Sequence, residues 1–270
     1  MRLNSYILSE GRGRSVGSDE ALEFISKSCK KSLEQAKRYH NVLYRGVSGA
    51  SGYYMIDPKS GTRMSANTTN QYTLIMDNDP RWSAYPKRSK SLVCTTDEYK
   101  THSYGSVYAV FAKDGSRYGV CPTSDLWQSF NKSFAHLNMG SVNSYLLSLE
   151  EEMASSTIAD ANTYNELMIG VNRLGDWIDN VIKIYTDENY GVLSNLMDNS
   201  LFRMWYKNKH VPFSKWFIES FDPKKNDFYV TTNLHTVFTS GRKHKEVWTD
   251  GESVMILAMY LSDGVLDEIR

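Results

Sequence analysis

The chain has 270 residues, 41% of them hydrophobic and 23% charged, and its 31 basic side chains balance 31 acidic ones. At about 150 residues per domain this is one large domain or two small ones, with enough chain to bury a core without disulfide or metal staples. That apolar content with zero net charge excludes a disordered chain. No bulk charge draws the protein to nucleic acid or membrane, so any such partner has to act through a local patch. No uncharged apolar run reaches the about 18 residues of a membrane span, and Met1 to Gly17 holds no apolar signal core. The three cysteines, Cys29, Cys94 and Cys121, are odd in number and form no CxxC, which suits a reducing, cytoplasmic interior.

In chain order, Asn4 to Leu8 reads as a short strand, and residues 9–18 as a Gly/Ser/Arg linker. Ser18 is placed to cap a helix over 19–40, with Asp19 and Glu20 at its positive end and Leu22, Ile25, Cys29, Leu33 and Ala36 at helical spacing. Residues 42–47 (VLYRGV) read as a strand. The stretch 48–90 is rich in loop residues, and its length points to a functional loop or an unrecognised strand, for which Gln71 to Met76 is the candidate. Strands follow at Ser91 to Thr95, Ser106 to Ala112 and Arg117 to Cys121, with a helical turn through His102, and Asp125 to Phe130 opens a helical region. From about 141 to 206 the pattern is helical. Val142, Tyr145, Leu146, Leu149 and Met153 make one stripe, Tyr164 to Tyr185 a second, and Val192, Leu196, Leu201 and Trp205 a third. Strands return at Asp227 to Thr231, Thr236 to Thr239, Glu246 to Trp248 and Ser253 to Met259. Helix, strands, an all-helical insertion over 130–220 and strands again make an α+β chain, read as a single domain over 1–270.

Most motifs favour plain readings. GRGRSVG at 11–17 has GxGxxxG spacing with no βαβ unit after it, so a linker outweighs a dinucleotide loop. There is no Walker lysine, HExxH, EF-hand loop or GxSxG. The six histidines have no ligand spacing with the cysteines, so no metal is expected. Glu150, Glu151 and Glu152 read as a solvated helix face.

Three segments carry chemistry when taken together. In Leu43-Tyr44-Arg45-Gly46, a mid-strand arginine is costly unless it meets an anion or faces water from an edge, and the glycine allows close approach to the backbone. Thr95-Thr96-Asp97, followed by Ser103-Tyr104, puts hydroxyls at a strand end, where they can bond a sugar or orient a carboxylate. Glu246-Val247, followed after a turn by Ser253-Val254, opens a strand with a carboxylate that an exposed hairpin would also accommodate.

In this order the segments resemble the R-S-E mono-ADP-ribosyltransferases, above all the small enzymes of T-even bacteriophages that modify host proteins. Tyr44-Arg45-Gly46 matches the aromatic-Arg-Gly strand, Thr95-Thr96-Asp97 with Ser103-Tyr104 the Ser-x-Ser element, and Glu246-Val247 with Ser253-Val254 the last motif. The match spans 42–111 and 227–259, roughly 40% of the chain. Two positions depart from the pattern. Thr95 replaces a serine, keeping the hydroxyl. His244 stands where arginine-modifying members place a second Glu, so the NAD chemistry carries over further than the target preference.

The resemblance implies a split β-sandwich of two small sheets with an N-terminal helix and a large helical insertion. It implies cleavage of NAD, as substrate and without metal, at the nicotinamide–ribose bond. ADP-ribose would pass to an acceptor macromolecule, a host protein before a nucleic acid, in the host cytoplasm and away from membrane. Glu246, Arg45 and Thr95 would be catalytic, and Arg45, Gly46, Tyr44, Thr95, Thr96 and Tyr104 would contact NAD. Glu246 would bond the ribose 2′-hydroxyl, Thr95 would fix Glu246 or the ribose, and Arg45 would fork onto phosphate. Tyr104 or Tyr108 would stack on the nicotinamide. The basic runs at Arg81, Lys87, Arg88 and Lys90 and at Arg242 to Lys245 would meet an acidic protein face or a phosphate backbone, with Trp82 and Tyr85 to stack on bases, or would be solvated loops. The alternatives are a catalytically degenerate binding or phage structural protein, and an NAD glycohydrolase.

Overall fold

The computed structural model describes residues 13–48, 52–63, 70–135, 137–154, 158, 160–184 and 190–269. The strand expected at Asn4 to Leu8 lies outside them. The chain divides into two compact units. One comprises Met1–Met64, Ser83–Leu126 and Phe228–Arg270; the other comprises Ser65–Trp82 and Trp127–Asp227.

Among the described residues, the first unit is built on a nine-stranded, wholly antiparallel sheet, so the chain is α+β. Its strands are β1 (Arg14–Val16), β2 (Leu43–Val47), β3 (Tyr53–Ile56), β4 (Leu92–Thr95), β5 (Ser106–Ala112), β6 (Tyr118–Val120), β7 (Tyr229–Thr231), β8 (Glu246–Thr249) and β9 (Ser253–Leu257). Their spatial order is β1-β3-β9-β5-β2-β4-β8-β6-β7. β2 pairs with β5 along five residues but with β4 only at Tyr44↔Thr95, so the sheet is pinched there into a five-strand and a four-strand part.

Strand alternation sets the two faces. Ala109, Phe111, Val254 and Ile256 point to one side, under Ala21, Ile25, Cys29 and Ala36 of the N-terminal helices. On the other side, Leu43, Val110 and Met255 from one part of the sheet share a buried cluster with Leu92, Cys94, Val120 and Val247 from the other. Trp248 is fully buried beside Gly119. A Cβ on that glycine would lie 2.2 Å from two indole ring carbons, so the register Gly119↔Trp248 requires glycine.

Several expectations change. The helix over 19–40 is two helices, α1 (Ser18–Ser28) and α2 (Lys30–Tyr39). The break comes where Cys29 is buried with its Sγ against the Phe111 carbonyl, and Asp114 accepts the backbone N–H groups of Lys30 and Lys31 at the new N-terminus. Gly17, not Ser18, occupies the α1 cap position. Arg14–Val16, read as linker, pairs with β3 as the edge strand. The stretch 48–90 does contain a strand, but it is Tyr53–Ile56. Gln71–Asn78 is helix α3, because Tyr72, Ile75 and Met76 bury together at i, i+3 and i+4.

The second unit holds α3, α4 (Met139–Glu152), α5 (Tyr164–Ile184), α6 (Tyr190–Asp198), α7 (Ser200–Tyr206) and α8 (Phe213–Glu219). α5 starts at a reciprocal cap: Thr163 Oγ1 accepts from the Glu166 N–H, and Glu166 Oε2 accepts from the Thr163 N–H. Its stripe of Leu167, Val171, Leu174, Ile178 and Val181 is buried. Phe134, Phe213, Phe217 and Phe221 pack ring against ring beside it. Glu150, read as solvated, is buried and accepts the Ile158 N–H at 2.5 Å. Among the described residues no helix is long and apolar enough to cross a membrane.

Candidate active site

The pinch between β2 and β4 brings the three sequence segments side by side. Tyr44 pairs with Thr95, and Thr95 pairs with Glu246, so the three residues form one row across three strands. Paired residues of an antiparallel ladder project to the same face, so Tyr44, Thr95 and Glu246 share it. Arg45, one residue on, starts from the opposite face, level with Tyr108 on β5. No residue of β4 pairs in register with Arg45, Gly46 or Val47, and the Arg45 guanidinium enters this opening, where Nη1 donates to the Val93 carbonyl at 2.5 Å.

Arg45 is half-buried. Burial, followed by repulsion from the nearby Arg63 guanidinium, pushes it down to about 10. Glu246 is among the weaker influences that favour its charged form. The Arg63 backbone N–H donates to Ser89 at 2.7 Å and Lys90 Nζ donates to the Gly61 carbonyl at 2.6 Å, which ties a second stretch of cationic chain to the start of β4.

Glu246 is held from several directions. Its N–H donates to the Thr123 carbonyl at 3.0 Å, and its own carbonyl accepts from the Cys121 N–H at 2.9 Å. Oε1 accepts from Arg88 Nη2 at 2.5 Å, and Oε2 accepts from the Leu126 N–H at 3.1 Å. The side chain is 14% exposed. An ionised carboxylate has about four lone-pair positions, so the two bonds leave acceptor capacity on Glu246.

The threonines are engaged elsewhere. Thr95 Oγ1 donates to the Lys245 carbonyl (3.2 Å) and accepts from the Asp97 N–H (3.0 Å); it does not bond Glu246. Thr96 Oγ1 donates to Lys243 O and accepts from the Lys245 N–H, both at 2.9 Å. These two hydroxyls hold the entry to β8 against the exit of β4. Gly46 is required for a reason different from the expected one. A Cβ there would stand 2.2 Å from the Thr101 carbonyl oxygen and 2.7 Å from Tyr104 Cβ, so the glycine admits the 3-10 turn Glu98–Tyr104 on that side. Tyr44 is half-buried, Tyr104 is 64% exposed at the rim, and Tyr108 is fully buried. Burial, together with Tyr54 and Tyr260, pushes the Tyr108 phenol up to about 12.

The basic runs resolve residue by residue. Arg242, Lys243 and His244 are exposed, and His244 Nδ1 lies 3.3 Å from Asp97 Oδ2. Lys245 is buried and donates to the Val237 and Ser240 carbonyls at the end of α9 (Leu234–Thr239), which contains Thr236 to Thr239, expected to be a strand. Arg88 is also buried, 5.6 Å above the Trp248 ring. Trp82 and Tyr85, expected to stack on bases, are buried, with Trp82 Nε1 bonded to Phe221 O and the Tyr85 hydroxyl to Phe228 O. The residue that sequence reasoning missed is Arg88. Its only linear signal was a place in a basic run, which says nothing of depth. No family model, curated protein or solved structure matches this chain.

Proposed function

We propose that the protein is a mono-ADP-ribosyltransferase that cleaves NAD at the nicotinamide–ribose bond and transfers ADP-ribose to a macromolecule, a protein before a nucleic acid. The observation that carries this reading is the row Tyr44–Thr95–Glu246 across the pinch, with Arg45 entering the opening beside it. In the reaction the bond from ribose C1′ to the nicotinamide nitrogen breaks, and its electron pair leaves with nicotinamide and neutralises that ring. The oxocarbenium-like sugar is met by an acceptor nucleophile, which forms the new C1′ bond and releases its proton to solvent. Glu246 accepts a hydrogen bond from the ribose 2′-hydroxyl on its exposed side and opposes the developing positive charge. Arg45 supplies a charge-assisted fork to phosphate. The exposed Tyr99 and Tyr104, with Lys243 and His244, make the rim an acceptor would meet. Burial of Trp82 and Tyr85 removes the rings that favoured nucleic acid.

Incubation with labelled NAD and a bacterial lysate tests this. Label should appear on protein, and Glu246→Gln should reduce it by about 10²-fold or more, the size of losing one preorganised electrostatic contact, with NAD binding retained. Full activity in Glu246→Gln rejects the assignment. Free ADP-ribose alone would make the protein a glycohydrolase. One observation favours a catalytically silent binding module, namely that both Glu246 oxygens already accept a bond; intact NAD after incubation would support that reading.

A further inference from the structure

We propose that Arg88 is the positioning residue of this site, orienting the Glu246 carboxylate for the sugar. This rests on reading Glu246 as the group that faces the ribose. Arg88 belongs to a short 3-10 turn, Arg88–Lys90, just before β4, yet it is only 3% exposed. Its Nη2 reaches Glu246 Oε1 at 2.5 Å, with the guanidinium carbon 5.6 Å from the centre of the Trp248 ring. Glu246 and Trp248 are two residues apart on β8 and share a face, so the guanidinium lies along the indole and ends at the carboxylate. The indole is itself fixed: Nε1 donates to Pro86 O at 2.9 Å, and Tyr85 stacks on it at 6.2 Å and 17°. The Leu126 N–H then takes the second oxygen at 3.1 Å, so both ends of the carboxylate are set before any substrate arrives.

Two physical effects oppose each other here. A neighbouring cation weakens the pull of Glu246 on a developing positive charge. The same cation holds a flexible side chain in one orientation, and preorganised acceptors avoid reorganisation during the reaction. The proposal is that orientation dominates. Arg88→Gln should therefore lower kcat for nicotinamide release by roughly 10²-fold, with KM for NAD changed less than about twofold, because the lost contribution appears in the transition state. If charge dominated, the same variant would be faster.

The experiment compares wild-type, Arg88→Gln and Arg88→Lys full-length proteins for kcat, KM and melting temperature, with kcat read below each variant's melting transition. Arg88→Lys keeps the Glu246 carboxylate paired if Arg88→Gln cannot fold, and it should lose part of kcat because the planar guanidinium over the Trp248 ring is lost. A folded Arg88→Gln or Arg88→Lys with wild-type or higher kcat overturns the proposal, as does a fall in melting temperature with kcat unchanged. A wild-type protein that leaves NAD intact rejects the underlying function, and the positioning role falls with it.

Discussion

Glu246 and Asp250 lie four residues apart, and each carboxylate meets a guanidinium, Arg88 and Arg117 respectively. Asp250 is buried and accepts from the Arg117 backbone N–H (3.1 Å) and from its Nε and Nη2 (3.1 and 2.8 Å), with Lys59 Nζ 3.6 Å away. Burial pushes its carboxyl up, but the bonds from Arg117 outweigh burial, and the result lies below the ordinary 3.8. A carboxylate lowered in this way stabilises the fold above its unfolded value and loses that contribution as the pH falls through the folded one. Asp250→Asn should therefore cost about 1.5–3 kcal/mol at pH 7, with the gap to wild type closing below the ordinary value of 3.8; thermal melts across pH measure this. Neither pairing is legible in the sequence, because Arg88 and Glu246 are 158 residues apart and Arg117 and Asp250 are 133 apart. The identity of Glu246 as a strand-opening carboxylate is legible, since it needs only its neighbours.

At the scale of elements, helical periodicity read α5 correctly, whereas Thr236 to Thr239, which reads as a strand, belongs to α9. The α5 stripe repeats over 21 residues, long enough for the period to be unambiguous. α9 has six residues, and Thr236 to Thr239 is β-branched and aromatic, so local propensity favours a strand. It is helical because Asn233 caps one end, accepting from the His235 N–H at 3.1 Å, and the buried Lys245 ammonium binds carbonyls at the other. Leu234 and Val237, at i and i+3, then enter the core. Lys245→Met removes both bonds and leaves buried carbonyls without that donor; relief of the buried ammonium opposes this. The carbonyls should decide the sign, with a loss of about 1–3 kcal/mol in urea unfolding. An unchanged midpoint would mean that the lysine contributes nothing to this joint. The same logic split the expected 19–40 helix, where Asp114, 84 residues from Lys30, caps the second half.

For the molecule as a whole, each compact unit has its own apolar interior. Phe217 is 1% exposed in the helical unit and contacts the rings of Phe134, Phe213 and Phe221. Phe217→Ala should cost about 3–5 kcal/mol in that unit, read by calorimetry. NAD cleavage measured below the transition should be unchanged, because every residue of the proposed site belongs to the other unit. A proportional loss of activity would place catalytic function in the helical unit as well. The α+β class, the helical stretch after residue 130, the α5 stripe and the three segments that meet at the pinch were determined by the sequence alone. Each depends on a period, a composition or a residue type within a few turns of chain. The single β2–β4 pair, the two-part sheet, the replacement of Thr95 by Arg88 as the partner of Glu246, and the depth of Arg88 and Lys245 were decided only in the folded molecule. A charged side chain is buried or solvated according to what distant chain brings against it, and that information is absent from any local window.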